Sequence, residues 1–106
     1  MRAPLLRVLV RGPSMAPTLS DGDVVLARPG RAATPGDVVL VRWDARPDQL
    51  SVKRVHRVRA DLAHVLGDFP DGSTDSRTLG PARVHAVVLC RLWPRPGRLP
   101  ARQDRP

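Results

Sequence analysis

Gly36-Asp37-Val38-Val39-Leu40-Val41-Arg42-Trp43 decides the fold class of this chain. A Gly-Asp turn feeds a short apolar run rich in β-branched valine, too brief for a helix, so it reads as a strand. Fourteen residues earlier the same passage occurs as Gly22-Asp23-Val24-Val25-Leu26. That echo is too short for a solenoid repeat and marks two similar turn-to-strand passages. Outward from this pair, six strand-like runs cover residues 5–10, 23–28, 37–43, 50–58, 62–66 and 83–92. Pro29-Gly30, Pro35-Gly36, Arg46-Pro47-Asp48, Asp71-Gly72 and Gly80-Pro81 break the chain between them. Residues 19–21 close a single helical turn that begins near Ser14.

The 106 residues suit one domain. Of the 18 basic residues 17 are arginine, and all 10 acidic residues are aspartate. Long helices need Glu, Lys and Gln on their wet faces, and these are nearly missing, so a helix bundle or coiled coil is excluded. The expectation is a mainly β fold of coiled sheets with short turns and little helix, spanning residues 1–93. Residues 94–106, with their prolines and arginines, read as a disordered basic tail.

The net charge of +8 is compatible with nucleic acid or an anionic membrane surface. Only Phe69, Trp43 and Trp93 offer stacking platforms, so nucleic acid is not the expected partner. Cys90 is the single cysteine, which excludes an internal disulfide framework. No run approaches the ~18–20 apolar residues that cross a bilayer. The hydrophobic start is too short for a signal peptide, with Arg7 interrupting it. The expected location is cytoplasmic.

Gly-rich phosphate loops, paired cysteines, His-x-x-x-His and Gly-x-Ser-x-Gly are all absent. His56, His64 and His85 are scattered among polar neighbours, where a surface or half-buried role is the ordinary one. Lys53 is different. A chain that writes Arg at every other basic position departs from that habit once, inside the run Val52-Lys53-Arg54-Val55. Arginine cannot give up its proton in a protein, whereas a desolvated lysine can become a neutral base. A matching nucleophile is offered by Gly12-Pro13-Ser14-Met15-Ala16-Pro17-Thr18-Leu19, a Gly/Pro-framed turn directly after the first strand. From the turn alone, Ser14 is equally well an ordinary helix N-cap.

The serine segment resembles the Ser-Met-x-Pro-Thr-Leu box of the type I signal peptidase-like Ser/Lys serine protease family. That family includes mitochondrial inner-membrane proteases, whose box also begins Gly-x-Ser-Met. Gly36-Asp37-Val38-Val39 is similar to its next strand, and Val52-Lys53-Arg54-Val55 to its Lys-Arg box. Gly67-Asp68 with Ser73-Thr74-Asp75-Ser76-Arg77 and Gly80 resembles its Gly-Asp…Ser-x-Asp-Ser-Arg…Gly box. Four boxes in family order cover residues 8 to about 93.

The resemblance implies a small catalytic β-core shared with signal peptidases and self-cleaving repressors. It makes Ser14 the nucleophile and Lys53 the general base. Ser73 matches a serine that bonds the lysine amine, and Asp75 and Arg77 match an ion pair that supports the site. The Ser14 backbone N–H would be one oxyanion donor. Gly12 stands where bacterial signal peptidases often carry a serine as a second donor. Phe69 replaces the Asn that usually follows Gly-Asp. The family's membrane anchor and its large second β-domain have no counterpart. Those features resemble one small branch, the maturation protease found with nickel-type superoxide dismutase, thought to remove a short N-terminal propeptide.

Self-cleavage is not expected, since only 13 residues precede Ser14 and hold no Ala-Gly or Cys-Gly pair. The expected partner is a protein precursor with an N-terminal propeptide, and the protease chemistry needs neither metal nor organic cofactor. One alternative is an anchorless signal peptidase in peripheral membrane contact through Leu5, Leu6, Met15, Trp43 and Trp93. A non-catalytic nucleic-acid-binding module is the alternative from another class.

Overall fold

A computed structural model describes residues 4–69 and 74–100. Six strands and one short helix follow in the order β1 (Leu6–Leu9), β2 (Val24–Pro29), β3 (Val38–Arg42), β4 (Ser51–Arg59), β5 (Leu62–Leu66), α1 (Ser76–Leu79) and β6 (Ala82–Trp93). The fold is mainly β, and each strand-like run of the sequence forms its strand. The four-residue helix α1 is one element that strand patterning did not foresee.

All pairings are antiparallel, in the order β1-β2-β6-β3-β4-β5. The start of β6 also pairs with β5, Arg83 opposite Leu62 and Ala82 opposite Ala63. That contact closes β6, β3, β4 and β5 into a ring and leaves β1–β2 as an attached wing. The 12 residues of β6 make this possible, serving β5, β3 and β2 in turn along its length.

Successive side chains of a strand face opposite sides, and β3 is buried on both. Val38 and Leu40 join one apolar cluster with Val10, Met15, Leu19 and Val25. Val39 and Val41 join a second with Trp43, Val55, Val65 and Val87. Hence the uninterrupted Val-Val-Leu-Val: a strand between two cores has no wet face for a polar residue to occupy.

One expectation is corrected by burial. Met15 and Trp43 are not part of an apolar rim; they are 1% and 3% exposed, and the Trp43 indole N–H donates to the Gly80 carbonyl at 2.8 Å. Residues 94–100, read as part of a disordered tail, lie against the sheet. Arg91 and Gly97 exchange backbone hydrogen bonds of 2.8 and 3.0 Å, and Leu99 packs on the first cluster. Residues 101–106 are outside the described residues.

Candidate active site

The segment between β1 and β2 is a pinned loop. Val10 and Asp23 close its base, with Val10 N–H donating to the Asp23 carbonyl and Gly22 N–H to the Val10 carbonyl, both 2.8 Å. Inside it, Ala16 N–H donates to Pro13 and Leu19 N–H to Met15, each 2.9 Å, forming one helical turn. Met15 and Leu19 drive this turn into the core. Gly12, at φ +81°, takes the left-handed conformation that precedes the turn, where a side chain would be strained. Ser14 is thereby held half-buried at the head of the turn, and its carbonyl accepts the Phe69 N–H at 2.9 Å.

Lys53 lies inside β4, 5% exposed, opposite the fully buried Val39 on β3. Residues directly opposite in an antiparallel pair share a face, so an aliphatic wall stands beside the amine stem. Burial holds the Lys53 pKa below the ordinary lysine value. The Asp75 charge opposes this by favouring the ammonium, and the Arg77 charge adds to the depression.

Ser14 and Lys53 line one cleft of about 440 Å³. Its lining comes from the end of β1 and the serine turn, from the stretch entering β4, and from Thr74 and Leu79. None of His56, His64 and His85 lines it, which removes a histidine-based triad from consideration there.

Asp75, 1% exposed, gathers the segment beyond Ser73. Its carboxylate caps α1 by accepting the Arg77 N–H at 3.2 Å, and accepts the Gly67 N–H at 2.9 Å. The Arg77 guanidinium donates to it at 3.0 and 3.2 Å. Ser76 Oγ accepts the Val65 N–H at 2.9 Å, tying α1 to β5. Ser73 lies outside the described residues.

The pair that residue-by-residue reading left without a role is Arg54 and Asp68. Arg54 Nη2 donates to Asp68 Oδ2 at 2.8 Å and Nε to Oδ1 at 3.0 Å, both side chains 5% exposed. Thr18 Oγ1 donates to the same carboxylate at 2.5 Å. Arg54 also donates to the carbonyls of Gly36 at 2.9 Å and Pro100 at 3.2 Å. One guanidinium therefore joins the serine turn, the β2–β3 turn, the Gly67-Asp68 bend and the chain after β6. Both residues stood within quoted boxes, so the signal was present in their adjacency to Lys53 and Gly67.

Among the described residues no group of three His, Cys or Asp side chains could hold a metal ion. No helix among them is long and apolar enough to cross a membrane.

The profile of the Peptidase S24-like family matches residues 3–66, a stretch that contains both Ser14 and Lys53. The chain is 35% identical to mitochondrial ATP-independent inner membrane protease subunit 1a of Arabidopsis thaliana, covering 80% of this chain and 68% of that protein. It is 30% identical to mitochondrial inner membrane protease subunit 1 of Xenopus tropicalis, over 82% of this chain and 68% of that one. Against subunit 1 of Homo sapiens the identity is 28%, over 82% and 69%.

Proposed function

Because the chain belongs to the Peptidase S24-like family, we propose that it is a serine endopeptidase in which neutral Lys53 activates Ser14. The observation that carries this reading is the opening of Ser14 and a buried, pKa-depressed lysine onto one cleft.

Lys53 Nζ takes the Ser14 hydroxyl proton as Oγ attacks the scissile carbonyl carbon. The tetrahedral intermediate collapses to a Ser14 ester, and the departing amine takes the proton back from Lys53. Water then attacks the ester with Lys53 again accepting a proton; the bond from the acyl carbon to Ser14 Oγ breaks, Lys53 returns that proton to Oγ, and the carboxylate product leaves. The Ser14 N–H faces the developing oxyanion. Gly12 adds no hydroxyl, which forgoes up to ~3 kcal/mol of transition-state stabilisation.

Substrate enters extended. β1 pairs with β2 on one side, and Ser51 to Lys53 pair with β3 while β5 ends opposite Arg54, so two backbone edges flank the cleft. A strand laid between them hydrogen-bonds by β-augmentation and carries its carbonyl to Ser14. The resemblance favours small residues before the cut and an N-terminal propeptide or leader as the segment removed. The substrate we propose is the precursor of a nickel-type superoxide dismutase, with the protease acting in the cytoplasm.

The test is mass spectrometry of that precursor incubated with the protein and with Ser14→Ala. One new N-terminus formed by the parent alone is expected. Cleavage that persists in Ser14→Ala overturns the mechanism; a different precursor cleaved in its place overturns the substrate assignment only.

A second reading, peripheral action at a membrane, is favoured by one surface feature. Leu9, Val24 and Trp93 are register partners across β1, β2 and β6, with Leu9 50% and Trp93 61% exposed at the cleft's β1 side. An aromatic and a leucine beside basic residues suit an anionic interface. Co-sedimentation with anionic vesicles at physiological salt, lost in Trp93→Ser, is its expected outcome. No sedimentation of the parent protein rejects it.

A further inference from the structure

Among the described residues, the cleft that holds Ser14 and Lys53 is lined by no acidic side chain, although the chain carries 10 aspartates. Its charged lining is Arg11, Arg46 and Lys53. In the proposed mechanism Lys53 is neutral when it acts, which leaves the two arginines as the permanent charges of the cleft. They come from different segments of the chain. Arg11 is the last residue before the left-handed Gly12, three positions ahead of Ser14. Arg46 sits in the β3–β4 connection, where its N–H donates to the Trp43 carbonyl at 2.9 Å and its carbonyl accepts the Gln49 N–H at 3.1 Å.

Neither guanidinium has an ion-pair partner among the described residues, in contrast to Arg54, Arg77, Arg83 and Arg91. The aspartates closest in sequence are engaged elsewhere or do not line the cleft. Asp44 is paired with Arg83 at 3.0 Å, and Asp21 accepts the Gly12 N–H at 2.7 Å. Asp48 belongs to the same connection as Arg46 but does not line the cleft.

From this arrangement we infer that Arg11 and Arg46 select substrates with an acidic side chain within a few residues of the scissile bond. The inference rests on the protease reading for the position of the bond, not for the charge of the cleft. A peptide extended between the two edges advances ~3.3 Å per residue with alternate side chains on each face, so side chains near the scissile bond meet a cleft that Arg11 and Arg46 line together with Ser14. A carboxylate there gains one or two charge-assisted hydrogen bonds, which arginine makes in a planar, bidentate geometry. A basic side chain meets like charge and, among the described residues, no aspartate lining the cleft. Each exposed pair of this kind is worth roughly a 1.5- to 5-fold preference, so the two together give at most roughly two- to 25-fold.

The experiment uses fluorescent, C-terminally amidated decapeptides of small and apolar residues in which each position in turn carries Glu or Gln. Amidation removes the terminal carboxylate as a competing anion. Binding is read by anisotropy on Ser14→Ala, and cleavage by the parent protein. The expected result is a Glu-over-Gln preference of the stated size at one or two positions, reduced by 0.5 M salt. It falls toward unity in Arg11→Gln, Arg46→Gln and most in the double variant. The ratio is internal to each sample, so a poorly folded variant weakens both peptides together and leaves it unchanged. Equal binding of Glu and Gln peptides, or a preference undiminished in the double variant, overturns the inference. Acidic preference in binding without cleavage of any peptide upholds it and overturns the protease reading.

Discussion

Arg54 and Asp68, fourteen residues apart, form an ion pair of 2.8 Å at the hub of the site, with each side chain 5% exposed. Arg54 follows Lys53 directly in β4, and Asp68 lies one residue before the Phe69 N–H that holds the Ser14 carbonyl. The two halves of the proposed catalytic pair are thus referred to one buried contact. Removing one partner strands the other as an uncompensated buried charge, which costs ~3–5 kcal/mol. Asp68→Asn and Arg54→Met should each lower stability by that amount in urea unfolding, by a shift in midpoint at constant slope. A loss below ~1 kcal/mol would show the pair to be solvated and peripheral.

Lysine at position 53 is not interchangeable with arginine if it acts as a base. Lys53→Arg should abolish peptide cleavage while leaving the β-sheet circular dichroism intact, because a guanidinium keeps its proton above pH 12. A purely electrostatic role for Lys53 would survive the exchange. Cleavage at the parent rate by Lys53→Arg ends the Ser/Lys mechanism.

The pH profile carries a sign that follows from the environment of the amine. Burial places the folded pKa of Lys53 below its ordinary value of 10.5. Activity should rise with pH through a limb inflecting below that value and be lost on acidification, as the ammonium form accumulates. Between the folded and unfolded pKa the unfolded chain binds the extra proton, so stability should also rise with pH across this window. In Lys53→Met that rise should be absent, so the difference in stability between the two proteins isolates it.

Asp75 and Arg77 should move the same limb in opposite directions. Asp75 favours the ammonium and Arg77 disfavours it, so Asp75→Asn lowers the inflection and Arg77→Gln raises it. A common structural loosening would change rates in both variants without opposing shifts. Parallel shifts would reject the assigned electrostatics.

Gly12 permits a direct trial of the missing hydroxyl. A Cβ at this position meets no atom within 4 Å, but φ is +81°. Gly12→Ala and Gly12→Ser should both cost ~1–2 kcal/mol through the left-handed backbone. The rate ratio of the serine to the alanine variant isolates the hydroxyl as an oxyanion donor. A ratio near one would show that the Gly12 side of the cleft does not face the reacting oxygen.

What the sequence determined by itself is everything written at short range. Gly-Asp turns, Pro-Gly breaks and valine-rich runs specify where six strands start and stop, because backbone preference and side-chain period are properties of neighbouring residues. The serine turn and the lone lysine were legible for the same reason: each is a departure from a local habit of the chain. Tertiary structure decided what depends on distant pairing. Closure of the ring required β6 to reach β5, and no local pattern encodes which strand it meets. Met15 and Trp43, apolar residues that a linear reading could place on a rim, are buried because the helical turn and the β3 end face two cores. Residues 94–100, polar and proline-rich enough to read as unfolded, are held by Gly97 on β6 and by the Arg54 guanidinium on Pro100. Lys53 itself is only a lysine in sequence. The lowering of its pKa comes from burial, with Val39 opposite it, and from the balance of Asp75 and Arg77, since desolvation and Coulomb interaction act through space between segments that the chain keeps apart.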